Sequence, residues 1–210
     1  IGASTLQPTV EKVIADTDKI FHWTFGEFQC FHKSLHDPTT FKLSNDQRTI
    51  QKTSSTGWVT ALVQWPLNEK TNAAPATLQE SHIVSWDFTI DALTLAFGNQ
   101  IFLGITEWDI HHNDEMFQTY IGCAKQCGDL HSYGFGRAGP SIYSRNDSGA
   151  SSERYGEAFK QGDVVTVTLN FTEDTLCFAV NGVELGVAVN GGLVGHTWYP
   201  AVSVYWPKDQ

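Results

Sequence analysis

Through the C-terminal half of this chain apolar and polar residues alternate with a period of two. Val165, Val167 and Leu169 are interleaved with Val164, Thr166 and Thr168, the pattern of a strand whose two faces meet different surroundings. Leu176, Phe178 and Val180 repeat it, and Asn181-Gly182 follows at once. That pair accepts the positive φ angles of a type I′ turn, so residues 175–180 are predicted to fold back on 183–188 as a tight hairpin. Asp163, next to Gly162, reads as a turn residue whose carboxylate holds nearby backbone N–H groups. Phe41-Lys42-Leu43-Ser44 and Thr49-Ile50-Gln51-Lys52 flank Asn45-Asp46 as a second hairpin. Trp58 to Trp65, His82 to Phe88 and Ile101 to Ile105 read as further strands. Leu6, Val10, Val13, Ile14 and Ile20 are spaced nearer to a helical turn and predict a short N-terminal helix. Asn68 to Glu80, with Pro75 and several alanines, predicts a surface loop. Long amphipathic helices and internal repeats are absent from the pattern, so the expected fold is all-β, a two-layer antiparallel β-sandwich.

At 210 residues the chain is ordinary for a single sandwich, and its 13 Phe and 7 Trp supply a substantial core without disulfides or metals. A net charge of −10 with no basic run argues against nucleic acid and anionic membranes as partners, and favours a neutral or basic protein or peptide. No apolar run approaches the length needed to span a bilayer. The chain starts at Ile1, which reads as a monomeric domain cut from something longer. Four cysteines, Cys30, Cys123, Cys127 and Cys177, are few and show no disulfide framework, so reduced thiols in an intracellular setting are expected. Cys123 and Cys127 are four apart with His131 nearby, but a second cysteine pair is lacking. No metal site and no cofactor are expected. Asn146-Asp147-Ser148 and Asn170-Phe171-Thr172 match the glycosylation acceptor pattern, a tripeptide that is common by chance.

Specific motifs carry a family resemblance. Tyr155-Gly156-Glu157-Ala158-Phe159, Gly162 to Asn170, Leu176 to Gly182, Gly186-Val187-Ala188 and Tyr199-Pro200-Ala201-Val202-Ser203 closely resemble the C-terminal half of an SPRY domain. Leu43 to Asp46 before Thr49, Trp58, His82 to Phe88, Phe102 to Ile105 and Ser132 to Phe135 follow in the order of that fold's strands. The resemblance implies a domain over 36–210 with residues 1–35 as an extension packing on it. It also implies a non-enzymatic adaptor or substrate-recruiting module that takes a short segment of another protein on loops at one end.

In SPRY proteins that also carry a SOCS box, two aromatics contact the peptide ligand, and the matching positions here are Phe117 and Trp206, with Tyr205 beside the second. A half-exposed aromatic on a rigid sheet buries much area at small entropic cost. Those relatives have an Arg and a Pro where this chain has Lys52-Thr53-Ser54-Ser55, and Lys does not replace a bidentate Arg, so their acidic ligand is not carried over. Tyr133, Arg137, Tyr143 and Arg145 lie in a Gly-rich stretch read as loop, near the polar insertion His111-His112-Asn113-Asp114-Glu115. Loop aromatics and arginines are enriched at interfaces. The expected partner site is Phe117, Tyr133, Arg137, Tyr205 and Trp206.

Two rival functions come from the residues. Glu107 and Asp109 at i and i+2 are similar to part of a jelly-roll glucanase motif, but His111 stands where that motif has its acid. Lectin-like sugar binding is the stronger rival, since tryptophans on a sandwich can stack on sugar rings. Neither a Gly-x-Ser-x-Gly elbow nor a phosphate-cradling loop is present.

Overall fold

The computed structural model describes residues 21–23 (backbone), 31, 40–53, 57–63, 66–67, 83–92, 101–108, 119–123, 130–137 and 140–205. Among them thirteen strands form two antiparallel sheets, and no helix occurs. One sheet has the order β12-β11-β10-β5-β1-β3-β2. It is built from β1 (Phe21–Trp23), β2 (Phe41–Ser44), β3 (Thr49–Lys52), β5 (Ile83–Ile90), β10 (Val164–Asn170), β11 (Thr175–Val180) and β12 (Val183–Asn190). The other has the order β4-β13-β6-β7-β8-β9, with β4 (Val59–Leu62), β6 (Ile101–Thr106), β7 (Ser132–Gly136), β8 (Ser141–Asn146), β9 (Gly149–Arg154) and β13 (Tyr199–Val204).

The period of two is converted directly into burial. On β10, Val165, Val167 and Leu169 are fully buried while Val164, Thr166 and Thr168 are half-exposed. Their partners continue both faces: Val167 lies between Phe178 of β11 and Trp86 of β5 on the inside. Outside, Thr168 and Ser85 hydroxyls lie 2.9 Å apart, and Thr166 donates to Asp87 at 2.6 Å. Facing the first sheet from the second are Leu103, Ile105, Phe135 and Val202, all within the main core. Burying each such side chain stabilises the fold by about 1.5–3 kcal/mol.

The turns use the residues their backbone angles require. Asn181 and Gly182 have φ of 52° and 78°, the two positive values of a type I′ hairpin, and connect β11 to β12 as the sequence predicts. Asp163 is buried; it accepts the Lys160 N–H at 2.7 Å and the Asn181 side-chain amide at 2.8 Å, tying the start of β10 to that hairpin. The turn between β2 and β3 runs through Asn45, Asp46 and Gln47, all at positive φ.

Two expectations are corrected. Tyr143 and Arg145 are not in a loop: they lie on β8, which pairs with β9 in a hairpin. Strand β9 reads Gly-Ala-Ser-Ser-Glu-Arg and is exposed along its whole length, so no apolar alternation marks it. Small and charged residues are what an unprotected sheet edge carries, because they discourage pairing with other chains. Residues 21–23, expected within an extension packing on the sandwich, form β1, which hydrogen-bonds between β3 and β5 inside the sheet. The helix expected over 6–20 and the loop expected over 68–80 lie outside the described residues.

Candidate functional site

Strand β6 is apolar at both parities, which means both of its faces are covered. Ile101, Leu103 and Ile105 face the other sheet; Phe102 points outward into a second, smaller apolar cluster with Leu62, Ile121 and Ala201. Residues 119–123 cover this outer face. Hydroxyls from three strands hold them: Thr60 donates to the Thr119 carbonyl at 2.7 Å, Ser203 accepts the Ile121 N–H at 3.0 Å, and Ser132 accepts the Gly122 N–H at 2.8 Å. The outward positions of β7 are correspondingly bare. A Cβ on Gly134 would stand 3.1 Å from Ile121, and one on Gly136 would stand 2.8 Å from the Phe102 ring. Gly122, at φ 85°, lies against the backbone of Tyr143, where a Cβ would approach within 2.5 Å.

Half-buried aromatics gather on this platform toward one end of the sandwich. Trp58 lies 5.0 Å from Phe102, 4.8 Å from Tyr120 and 5.3 Å from Tyr205 between ring centroids. Tyr120 stacks on Phe102 at 4.8 Å, and Tyr143 meets Phe102 edge-on at the same distance. Burial pushes the Tyr120 hydroxyl pKa up, with the neighbouring Cys123 adding to the effect.

Behind this rim Lys52 links the two sheets. Its side chain is buried at the end of β3, and its ammonium donates to the carbonyls of Gly57, at 2.5 Å, and of Tyr205, just past β13. The same nitrogen lies 5.9 Å from the Tyr205 ring centroid, within cation–π range. Removal from water lowers its pKa from 10.5 to about 8.

Of the five residues expected at a partner site three are described, and these are not gathered into one place. Phe117 and Trp206 lie outside the described residues. Tyr205 is half-buried on the aromatic rim. Arg137 is at the same end of the sandwich, but has the inward parity of Tyr133 and Phe135, and its Nε–H donates to the Phe159 carbonyl at 3.1 Å. Tyr133 is a correction to the picture of a rim anchor. It is 2% exposed, packs on Trp198 at 5.6 Å, and sits toward the opposite end of β7. It helps to line a cavity of about 290 Å³ between β8 and the edge strands β9 and β12. Sequence alone does not assign Trp58 and Tyr120 to the site and offers Tyr143 only as a loop contact outside the expected five; the doubly apolar run of β6 is the signal that its outer face is covered.

At the other end of β6, β7 and β13 the chemistry is different. Glu107 accepts the His131 backbone N–H at 2.8 Å through Oε2, and its Oε1 lies 2.8 Å from His196 Nδ1. The His131 and His196 rings are 4.6 Å apart, and His131 Nε2 is 3.0 Å from Asp147 Oδ1. Residues 191–198 are held by Asp174, which takes the N–H groups of Gly192, Leu193 and Val194 at 2.8–3.0 Å. Glu107, the first member of the glucanase-like pair, is thus engaged with two histidines, while Asp109 and His111 lie outside the described residues.

Known proteins match this architecture. Solved structures with the same fold include the SPRY domain of human HERC1, at 19% identity and TM-score 0.54 over 82% of this chain and 91% of that one. A second human SPRY domain matches at 13% identity and TM-score 0.54, over 80% and 91% of the two chains. The Drosophila melanogaster neuralized NHR1 domain matches at 12% identity and TM-score 0.53, over 84% and 91%. The family model for the SPRY domain matches residues 83–210, more than half of the sequence and most of both sheets. Members of this family are generally non-enzymatic modules of protein–protein interaction. The chain belongs to the SPRY domain family.

Proposed function

We propose that this domain captures a short segment of a partner protein on the aromatic end of its sandwich, as an adaptor or substrate-recruiting part of a larger assembly. The observation that carries the reading is the half-buried group Trp58, Tyr120, Tyr143 and Tyr205 on a platform pinned to three strands by hydroxyl hydrogen bonds. Rigid aromatics with partly open faces are suited to anchoring a peptide, because little conformational entropy is left to lose. Lys52 refines the ligand. Its ammonium is taken up by two backbone carbonyls, so it is not a free clamp for a carboxylate. With a net charge of −10, the segment best matched to this surface is neutral or basic and carries an apolar side chain.

The test is capture from native extract with quantitative mass spectrometry, followed by direct titration of the recovered partner. Three chains are compared: wild type, Tyr120→Ala/Tyr205→Ala, and Val183→Glu on the exposed edge strand β12, each verified as folded by circular dichroism. The expected result is a partner retained by wild type and Val183→Glu and weakened by the rim variant. A partner bound equally by all three would remove the aromatic end from the interface.

A further inference from the structure

Glu107 follows β6, His131 precedes β7, and His196 lies shortly before β13, so three hydrogen-bonded neighbours bring them to one sheet end. One ligand atom from each lies within 4.8 Å of the others. The protons make this cluster unusual. His131 has a side chain only 10% exposed, with Nε2 3.0 Å from Asp147 Oδ1. An ionised carboxylate only accepts, so Nε2 carries the proton, and the Nδ1 of the neutral ring keeps a bare lone pair. That buried Nδ1 makes no hydrogen bond and faces Glu107 Oε2, another acceptor, at 3.7 Å. In the neutral ring two electron-rich atoms thus face each other.

We propose that Glu107, His131 and His196 form a divalent transition-metal site of the Zn2+ class. His131 Nδ1, a Glu107 carboxylate oxygen and His196 Nδ1 are the ligands, and Asp147 orients His131 from behind. Two imidazoles and a carboxylate are a donor set that suits Zn2+ better than Mg2+ or Ca2+, which prefer oxygen alone. Donors on a tetrahedral Zn2+ at about 2.0–2.1 Å stand roughly 3.4 Å apart, so donors now within 4.8 Å of one another must draw in by up to about 1.4 Å. Glu107 and His196, 20% and 30% exposed at their side chains, have the freedom to do so and leave a path for the ion. Neutral His196 exchanges through solvent the Nδ1 proton that Glu107 Oε1 accepts for one on Nε2, and the freed Nδ1 lone pair takes the metal. A carboxylate behind a ligating imidazole makes that imidazole more basic toward the metal, the arrangement Asp147 and His131 already have. Three protein ligands leave a fourth position for water. Asp174, by holding 192–194, preorganises the loop that carries His196.

The experiment is equilibrium dialysis of the whole chain against buffered Zn2+ with elemental analysis, repeated with Co2+ to read its visible spectrum. One Zn2+ per chain is expected, with Co2+ bands of a low-coordinate nitrogen and oxygen site and no thiolate charge transfer. His196→Ala should abolish stoichiometric binding. Asp147→Ala should weaken it by about 10–100-fold. Asp147 is 96% exposed at its side chain, so its replacement tests the site without threatening the fold. Cys123→Ser/Cys127→Ser should leave binding unchanged. Failure of folded wild type to take up one Zn2+ would overturn the proposal. Binding indifferent to His196→Ala and Asp147→Ala, or lost with the cysteine pair, would overturn it equally.

Discussion

Strands β13, β6 and β7 lie side by side, and their two ends carry opposite kinds of chemistry. At one end Trp58, Tyr120 and Tyr143 gather over Phe102 with Tyr205 against Trp58, and the buried Lys52 ammonium is satisfied by backbone carbonyls. At the other, Glu107, His131 and His196 converge, and one buried nitrogen has no hydrogen bond. The difference teaches how each end is made specific. An aromatic platform is shaped by what is missing beneath it: Gly134 and Gly136 leave room for residues 119–123 and the Phe102 ring. A polar cluster is shaped by what supports it, here Asp147 behind His131 and Asp174 under the loop of His196. Apolar contacts tolerate small displacements, whereas lone pairs and protons do not.

If that contrast is right, each end should fail in its own way. The largest effect is expected from Gly122→Val. It places a branched side chain at φ 85° and drives it into the backbone of Tyr143, so denaturant unfolding should show a loss of about 3 kcal/mol or more, with partner binding lost as the platform shifts. Next, Asp174→Ala strips the acceptor from three N–H groups and should cost about 2–3 kcal/mol by the same assay. It should weaken Zn2+ uptake while leaving partner affinity at the aromatic end unchanged. An equal loss at both ends would mean that the ends are not independent. Tyr205→Ala should weaken a partner by about 2 kcal/mol in a binding titration and leave Zn2+ uptake as in wild type.

The fourth effect is a pH dependence. Lys52 holds its proton less tightly when folded, so between about pH 8 and 10.5 the unfolded chain carries the extra proton, and stability rises with pH. Tyr155 acts in the opposite sense. Burial pushes its pKa from 10 up to about 12, so the stability it contributes is whole below pH 10 and is lost as pH climbs toward 12. Thermal unfolding should therefore show a rise above pH 8 that turns over past pH 10. Lys52→Met should remove the rise and keep the fall; a rise of unchanged size would mean that another group titrates there.

The strands that were legible in the sequence are those with one wet face and one dry face, such as β10, whose alternation survives as alternating burial, and the middle of β11, where buried Leu176 and Phe178 flank half-buried Cys177. Strand β9 was not legible, because an exposed edge has no dry face and so no apolar period. Of the residues expected at the site, Tyr205 was named from its place after the Tyr-Pro-Ala-Val-Ser run, and it lies against Trp58 on the aromatic rim. The depth of Tyr133 could not, because β7 is covered on both sides and parity does not separate a core tyrosine from a surface one. The imidazole cluster left no local trace, since Glu107 is 24 residues from His131 and 89 from His196. The expectation of no metal site rested on spacing along the chain, and the candidate ligands proposed above, on three different strand ends, have no spacing to read.

By itself, then, the sequence determined the β-sandwich, the Asn181-Gly182 hairpin and the family, because period, turn chemistry and motif are local and each residue carries its own part of the signal. Tertiary structure alone decided which aromatics share a face, that the Lys52 ammonium is spent on carbonyls of Gly57 and Tyr205, and that His131 Nδ1 faces a carboxylate. Those facts depend on strand order and register, which set the neighbours of a side chain across the sheet and are not written in its neighbours along the chain.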